Sequence, residues 1–251
     1  MGALRRASPR PRRRSLSPLT ASADDRAWPV LERRATPAVL HGDPPDPHDR
    51  RLACVCVPVG PAVVIGSGQS DSDFDDERLR AAGLDLVRRR SGGGAVLVAP
   101  GCQVWLDVFV PNGDVLAETD IGRSFYWLGQ AFADAIAKVL GLPADQAEVE
   151  VHRGAAQKTP WSKVLCYAGL GSGEVTVGGR KVVGMSQRRS RSGAWIHSMA
   201  LLGERGGDLA NLLSGTAQDR AEAHGALRDV GLVHGEPFLD SLTEELLTRL
   251  P

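Results

Sequence analysis

The sequence has few cysteines, few lysines and no apolar run long enough to cross a bilayer. Its longest apolar stretches fall near residues 52–64 and 95–98, well short of the ~20 residues that a membrane-spanning helix needs. Integral membrane proteins are therefore excluded. The first 25 residues lack the apolar core of a secretory signal, and the four cysteines have no CxxC spacing. We expect a cytoplasmic protein with reduced thiols and no metal site.

Charge is balanced over the whole chain but not along it. The 30 basic and 30 acidic residues cancel, yet residues 1–23 contain six arginines and no acid. An Arg-, Ser- and Pro-rich segment is typical of a disordered tail, with a nucleic-acid-binding arm as the alternative. The acidic remainder argues against nucleic-acid binding. We expect residues 1–50 to be a largely disordered Arg/Pro-rich segment and residues 51–251 to form one folded domain.

The order of the predicted elements indicates an α+β fold. Strand patterns occur at 52–59, 62–66, 84–88, 95–99, 103–110, 147–151, 164–168, 174–177, 180–185 and 194–202. Helix patterns occur at 73–82, 121–141, 209–213, 219–227 and 241–250. Strands come first and most helices last, without the alternation of a Rossmann domain. This order predicts a single domain with mixed, largely antiparallel sheets flanked by helices.

The segment from Arg88 to Ala95 reads Arg-Arg-Arg-Ser-Gly-Gly-Gly-Ala. Three consecutive glycines leave backbone N–H groups unobstructed, so an anion can approach them. Neighbouring arginines supply forked donors for phosphate or carboxylate. The alternative is a glycine-rich turn beside solvated charges. The segment is neither a Walker loop nor a GxGxxG motif.

Lys181 is one of only four lysines in the chain, and it follows the Gly178–Gly179 turn of a predicted hairpin. The hairpin register places Glu174 and Thr176 on its face of the sheet. An edge-strand charge is the simpler interpretation. The nearby Gly184 favours a binding site instead, because glycine lets a ligand approach the backbone closely.

Cys166 follows two aliphatic residues in a predicted strand and precedes a glycine-rich segment. A cysteine in that setting is usually a small core residue. The glycines that follow would open space around the sulfur, and a nucleophilic role is then the alternative.

Three segments, in this order, resemble the lipoate–protein ligase A/octanoyltransferase family, which is related to the biotin protein ligases. They are Ala-Val-Val-Ile-Gly-Ser-Gly-Gln-Ser at 62–70, Arg-Arg-Ser-Gly-Gly-Gly-Ala-Val at 89–96 and Gly-Arg-Lys-Val-Val-Gly-Met-Ser-Gln at 179–187. The resemblance spans roughly residues 51–250. It implies a class II aminoacyl-tRNA synthetase/biotin ligase-like catalytic domain at 51–251, without the C-terminal accessory domain of larger ligases.

The resemblance implies that lipoate or octanoate is activated by Mg²⁺-ATP and passed to a lysine of a carrier domain. Lys181 would bind the acyl carboxylate and the α-phosphate of the adenylate, with Mg²⁺ held by phosphate oxygens and no protein ligand. The implied binding residues are Gln69, Arg89, Arg90, Ser91, Gly92, Gly93, Gly94, Ala95, Gly184 and Gln187. Implied partners are the lipoyl domain of a 2-oxoacid dehydrogenase E2 or the glycine cleavage H protein, and a separate accessory subunit.

The sequence departs from the family pattern in two places that bear on function. Many ligases continue the glycine loop into His-Asp-Gly, whereas this chain has Ala99-Pro100-Gly101. Cys166-Tyr167 stands where octanoyltransferases place a Cys-Phe nucleophile that needs no ATP, but their Asp-x-Pro-Ser continuation is missing. We therefore carry three hypotheses: an ATP-dependent lipoate ligase first, a Cys166-dependent octanoyltransferase second, and a non-catalytic acyl- or adenylate-binding protein third.

Overall fold

The computed structural model describes residues 28–142, 148–203, 206–228, 230–232 and 236–251. These residues form a mixed α+β fold with a seven-stranded and a three-stranded sheet, which confirms the predicted fold class. None of the helices in these ranges has the length and apolarity needed to cross a membrane.

The large sheet is antiparallel except at one edge. Its spatial order is β1 (Val30–Ala35), β2 (Leu52–Pro58), β6 (Gln103–Pro111), β10 (Gly193–Leu201), β9 (Arg180–Arg189), β8 (Val175–Val177) and β7 (Val149–Val151). Only the β1–β2 pair is parallel among these described strands. The predicted hairpin is β8–β9, and both turn glycines have positive φ, 55° and 77°, as a two-residue turn requires.

The small sheet presents the glycine loop. Its order is β4 (Asp85–Arg88), β3 (Ala62–Ile65) and β5 (Val96–Val98). The loop at residues 89–95 connects β4 to β5, which lie on opposite sides of β3. Val63 and Ile65 of β3 share one buried cluster with Trp105 and Phe109 of β6. The small sheet therefore packs on one face of the large sheet and holds the loop against it.

Helices complete both layers. They are α1 (Pro37–Gly42), α2 (Asp76–Ala81), α3 (Tyr126–Val139), α4 (Gly206–Asn211), α5 (Ala217–Ala226) and α6 (Glu236–Thr248). In α3, the buried side chains Leu128, Phe132 and Ile136 recur every four residues and make one apolar stripe. That stripe joins Leu242 and Leu246 of α6 in a cluster with the second face of the large sheet.

The folded body starts earlier than the predicted boundary between residues 50 and 51. Strand β1 pairs with β2, and Leu40 of α1 is 1% exposed. The proline-rich segment at 41–50 misled the prediction, because it is a loop that returns the chain from α1 to β2. The part of the disorder prediction that concerns residues 1–27 lies outside the described residues.

The predicted strand at 164–168 is wrong, and the error matters for Cys166. Leu165 makes a single bridge to Ala95, and the chain then turns through a 3₁₀ segment at Cys166–Ala168. The hydroxyl of Thr159 donates to the Ala168 carbonyl at 2.8 Å and fixes that turn. Cys166 therefore leaves the sheet and stands at the corner of a loop.

Candidate functional site

A small cavity opens between the glycine loop, β9 and the Cys166 turn; we call it the inner cavity. Val96, Met185 and Met199 line its apolar side, and Cys166 and Tyr167 line the side nearest the turn. The remaining wall is made by Gly184, Ser186, His41, Arg89 and His197.

Cys166 differs from the other three cysteines in its exposure. Cys54, Cys56 and Cys102 are buried, whereas Cys166 is half-buried, and none of the four forms a disulfide. Burial raises the pKa of the Cys54 thiol to about 12, so that it stays a thiol at neutral pH. Of the four, Cys166 alone lines the inner cavity. It is therefore the cysteine placed to act as a nucleophile.

Lys181 does not line either of the cavities described in this section. Its ammonium lies 2.6 Å from Glu174 Oε2 and donates to the carbonyl oxygens of Cys166 at 2.8 Å and Gly169 at 2.9 Å. Three donors thus meet three acceptors, and both charged side chains are less than 10% exposed. The sequence predicts that Lys181 contacts an acyl-adenylate. For that contact, the ammonium would have to leave Glu174 and the two carbonyl oxygens.

Arg89 lines the inner cavity, and the two terminal nitrogens of its guanidinium donate to backbone carbonyls. Its Nη2 donates to the carbonyls of Gly92 at 2.7 Å and Gly94 at 2.9 Å, and its Nη1 donates to Val64. Burial lowers the pKa of Arg89. Its neighbour Arg90 is exposed, whereas Arg88 donates to the carbonyls of Gly66 and Gln69 and to the Asp71 carboxylate.

The three glycines of the loop differ in the space around the Cα atom and in backbone conformation. A Cβ on Gly94 would lie 2.7 Å from Leu165 C and 2.8 Å from Cys166 N, whereas a Cβ on Gly92 would meet nothing. Gly93 has φ +98°, which a residue with a side chain rarely adopts. Ala95 accepts from the Cys166 N–H at 2.9 Å. The loop is thus fitted closely onto the Cys166 turn.

Ser91 and Gln69 hold the loop in place. The hydroxyls of Ser91 and Ser186 are 2.9 Å apart, which ties the loop to β9. Gln69 Nε2 donates to the Val164 carbonyl at 3.0 Å, so this side chain braces the segment before Cys166. It does not line the inner cavity, contrary to the prediction that it would line the pocket.

An outer groove lies beside the inner cavity, and Met185 and Ser186 line both. It is open to solvent and is lined by Gly92, Gly93, Ile121, Phe125, Met185, Ser186, Gln187 and Arg189. Gln187 thus lines this groove and donates to Ser124 Oγ at 3.1 Å. The Cys166 turn and the exposed glycines of the loop thus line two neighbouring depressions.

A buried polar cluster at the inner cavity was not predicted. His197 Nδ1 lies 2.8 Å from Asp107 Oδ2, and Trp105 Nε1 donates to Asp107 Oδ1 at 2.6 Å. The His41 ring packs against Trp105 in a tilted arrangement, with ring centroids 4.5 Å apart. Alternation along β6 and β10 places these side chains on one face, but His41 lies in the segment assigned to disorder. The cluster therefore needed the tertiary fold to be found.

The residues around the two cavities suit a nucleotide phosphate only in part. Across the described ranges, no group of three His, Cys, Asp or Glu side chains is arranged to hold a metal ion. For a nucleotide phosphate, the exposed Gly92 and Gly93 and the nearby Arg90 are placed to donate, while Lys181 is held by Glu174. The donor set for a phosphate is thus present in part.

Residues 47–229 match the model of the lipoyl protein ligase A/B catalytic domain. A curated relative, the octanoyltransferase LipM of Moorella thermoacetica, is 30% identical over 154 residues, which cover 61% of this chain and 54% of that protein. The chain spans about half the length of the curated relatives it matches.

Solved structures with the same fold come from lipoate–protein ligases. A bi-partite ligase of Thermoplasma acidophilum, studied with its E2 lipoyl domain, superposes with a TM-score of 0.63 at 16% identity, covering 89% of this chain and 81% of that one. A lipoate–protein ligase A bound with ATP gives a TM-score of 0.54 at 16% identity, covering 88% and 94%. At such identities the likeness concerns the fold.

Proposed function

Because the chain belongs to the lipoyl protein ligase A/B catalytic domain family, we propose that it is an octanoyltransferase that works through Cys166. One observation carries this proposal: the half-buried thiol of Cys166 lines the inner cavity at the glycine loop. The curated relatives with the printed name octanoyltransferase LipM support it. The proposal reverses the order of the two enzyme hypotheses drawn from the sequence.

The proposed reaction has two steps, acylation of Cys166 and transfer of the acyl group to a lysine. The Cys166 thiolate attacks the thioester carbonyl of an octanoyl carrier, a new C–S bond forms, and the carrier thiolate leaves and takes up a proton. A lysine amine of a lipoyl domain then attacks the acyl-cysteine, an amide forms, the amine loses a proton and the Cys166 thiolate is regenerated. The acceptor is proposed as a lipoyl domain because a related fold was studied with one.

Lys181 acts in this proposal as a positioning residue. Its ammonium holds the carbonyls of Cys166 and Gly169, and thereby fixes the turn that carries the nucleophile. Its charge is balanced by Glu174, which also accepts from the Met185 N–H at 3.0 Å. The turn, the ion pair and β9 therefore form one connected unit around the thiol.

The glycine loop supplies donors for the charge that develops on the thioester oxygen. Gly92 and Gly93 are exposed to the outer groove, and backbone N–H groups preorganised at such a place stabilise an oxyanion. The apolar side of the inner cavity, with Val96, Met185 and Met199, is the surface proposed to contact the hydrocarbon chain.

An ATP-dependent lipoate ligase is the second candidate. The observation that favours it is the open outer groove, where the exposed backbone of Gly92 and Gly93 can meet a phosphate. In that reaction ATP would supply the activating AMP group and Lys181 would have to leave Glu174. The ligase is placed second because the lysine is fully paired.

The test is acylation without ATP. The purified full chain is mixed with an octanoyl carrier-protein thioester, and intact mass followed by peptide mapping measures an octanoyl adduct on Cys166. Addition of a lipoyl domain should then transfer the group to its lysine. Cys166→Ala should abolish the adduct and lower transfer about a thousandfold or more.

Cys102→Ala is the matched control, because Cys102 is buried and lies outside the inner cavity, and it should leave transfer unchanged. Full transfer by Cys166→Ala would eliminate the proposal. Transfer that requires ATP and releases AMP would favour the ligase instead.

A further inference from the structure

Arg89 is a buried cation that forms no ion pair with any carboxylate in the described ranges. It is 5% exposed, and its terminal nitrogens donate to the backbone carbonyls of Val64, Gly92 and Gly94. The ion pairs between described residues all involve other side chains. A buried charge without a partner of opposite sign is costly. The charge of Arg89 is therefore available to stabilise a negative charge that develops beside it.

Contacts through the glycine loop join this guanidinium to the Cys166 turn. Arg89 Nη2 donates to the Gly94 carbonyl at 2.9 Å, and a Cβ on Gly94 would lie 2.8 Å from Cys166 N. The next loop residue, Ala95, accepts from the Cys166 N–H at 2.9 Å. Arg89 and Cys166 also line the same inner cavity. Two successive loop residues thus connect the buried cation to the half-buried thiol.

The electrostatic interaction between Arg89 and Cys166 acts in both directions. Burial lowers the pKa of Arg89, and the interaction with Cys166 opposes that shift, because a negative sulfur favours the charged guanidinium. A guanidinium stays protonated in proteins, and by the same interaction it favours the thiolate over the thiol. The thiolate is the nucleophilic form of cysteine.

The lysines near the turn supply less positive charge to the sulfur than their number suggests. The Lys181 ammonium donates to the Cys166 carbonyl, but Glu174 lies 2.6 Å away and balances its charge. Lys158 and Lys163, in the segment before Cys166, are exposed, so that water and salt screen their charges. None of the three is a buried cation without a counter-ion.

The groups on the sheet side of the inner cavity do not supply that charge either. His197 is held by the Asp107 carboxylate at 2.8 Å. Burial lowers the pKa of His41 to about 3, so its ring is neutral at pH 7. Burial raises the pKa of Tyr167 well above its ordinary value, so its hydroxyl is neutral as well. Arg89 is thus the buried, unbalanced cation of the inner cavity.

We propose that Arg89 is the counter-ion of the Cys166 thiolate, and that this guanidinium, not the Lys181 ammonium, activates the nucleophile. The inference rests on the proposed acyl transfer through Cys166 and adds a residue to it. The thiol releases its proton to solvent before the sulfur attacks the thioester carbonyl, while Arg89 keeps its own protons throughout. The sulfur loses its charge as the acyl-cysteine forms and regains it beside Arg89 when the lysine amine displaces it.

The experiment measures the reactivity of the thiol without an acyl donor. The full chain is treated with iodoacetamide at pH 7, and peptide mapping follows alkylation of Cys166, in which a C–S bond forms and iodide leaves. Arg89→Gln should lower the rate constant about tenfold, the effect of one nearby cation on an ionisable group. Arg89→Lys keeps the charge and should recover most of the rate. If Arg89→Gln does not fold, Arg89→Met keeps an apolar stem and serves the same comparison.

The pH dependence separates an effect of charge from an effect of structure. An ordinary thiol ionises near pH 8.5, so the deficit of Arg89→Gln should shrink as the pH rises from 7 to 10. A blocked or distorted site would be slow at every pH. Arg80→Gln is the matched control, because Arg80 is exposed on α2, and it should react at the wild-type rate throughout. A deficit that is absent at pH 7, or constant from pH 7 to 10, would overturn the inference.

Alkylation and acylation have separate readouts, so the two proposals can fail separately. If alkylation of Cys166 depends on Arg89 as expected, but Cys166 takes no octanoyl group from the carrier thioester, the proposed function is wrong and the charge pair stands. If Cys166 transfers octanoyl groups, but its alkylation rate is the same in Arg89→Gln and wild type, the inference is wrong and the proposed function stands.

Discussion

At the scale of single residues, the site depends on one buried ion pair. Lys181 and Glu174 are 7% and 5% exposed, and their charges meet at 2.6 Å. A buried pair of this kind adds little net stability, but removal of one partner leaves an uncompensated charge in a low-dielectric interior. Lys181 also donates to the Cys166 carbonyl. Removal of either charge therefore also affects the turn that carries the nucleophile.

We predict that Glu174→Gln destabilises the protein by about 3–5 kcal/mol. The amide keeps most of the shape of the carboxylate but leaves the Lys181 ammonium without a counter-ion. Urea unfolding at pH 7 measures the loss. Glu32→Gln is the control, since Glu32 pairs with Arg34 on the surface at 3.6 Å with both side chains more than half exposed, and should change little. Equal stability of the two variants would contradict the prediction.

At the scale of elements, the decisive feature is the fit between the glycine loop and the Cys166 turn. The loop accepts from the Cys166 N–H through Ala95, and Gly94 leaves no room for a side chain. Three glycines in a row suggested a cradle for an anion. The structure adds that Gly94 serves close packing, whereas Gly92 faces open space.

We predict that Gly94→Ala and Gly92→Ala behave differently. At Gly94 the new methyl would overlap the backbone of Leu165 and Cys166, at a cost of about 1–3 kcal/mol and with slower acylation of Cys166. At Gly92 it meets nothing, so stability should stay within about 0.5 kcal/mol. Thermal unfolding and acylation rates of both variants check this pair. A stable, fully active Gly94→Ala would show that the turn does not need this close approach.

At the scale of the whole molecule, Arg51 links distant parts of the chain. Its guanidinium donates to both oxygens of Asp114, at 2.8 and 2.9 Å, and to the Pro251 carbonyl at 2.7 Å. The Trp28 indole donates to the same carbonyl. Four segments that are far apart in sequence thus meet beside the start of β2, and the first of them precedes the boundary predicted from composition.

We predict that this link makes stability depend on pH below neutrality. The hydrogen bond from Arg51 is the main cause that holds the pKa of Asp114 below its ordinary value. Because the pKa of Asp114 is lower in the folded state, the ionised carboxylate stabilises the fold. This stabilisation is complete above the unfolded-state pKa, about 4, and is lost as the pH falls from there through the folded-state pKa.

Urea unfolding of Asp114→Asn and wild type over pH 2–7 measures this effect. The variant should be less stable at pH 7, and the difference should shrink below about pH 4. Asp85→Asn is the control, because Asp85 is exposed on β4 and should show no such convergence. A constant difference between Asp114→Asn and wild type across the range would contradict the linkage.

The sequence by itself determined the family, the α+β class and the segments that build the site. Apolar periodicity marked most strands and α3, and the motifs at 89–96 and 179–187 located the glycine loop and Lys181. Such signals are local, because they reflect the repeat of a strand or helix and the special backbone of glycine.

Only the tertiary structure decided what each of these residues contacts. It paired Lys181 with Glu174, turned Cys166 out of the predicted strand and into the cavity, and brought His41 against Trp105 and His197. These contacts join residues from different elements. No local pattern encodes them, because burial and hydrogen-bond partners depend on how whole elements pack together.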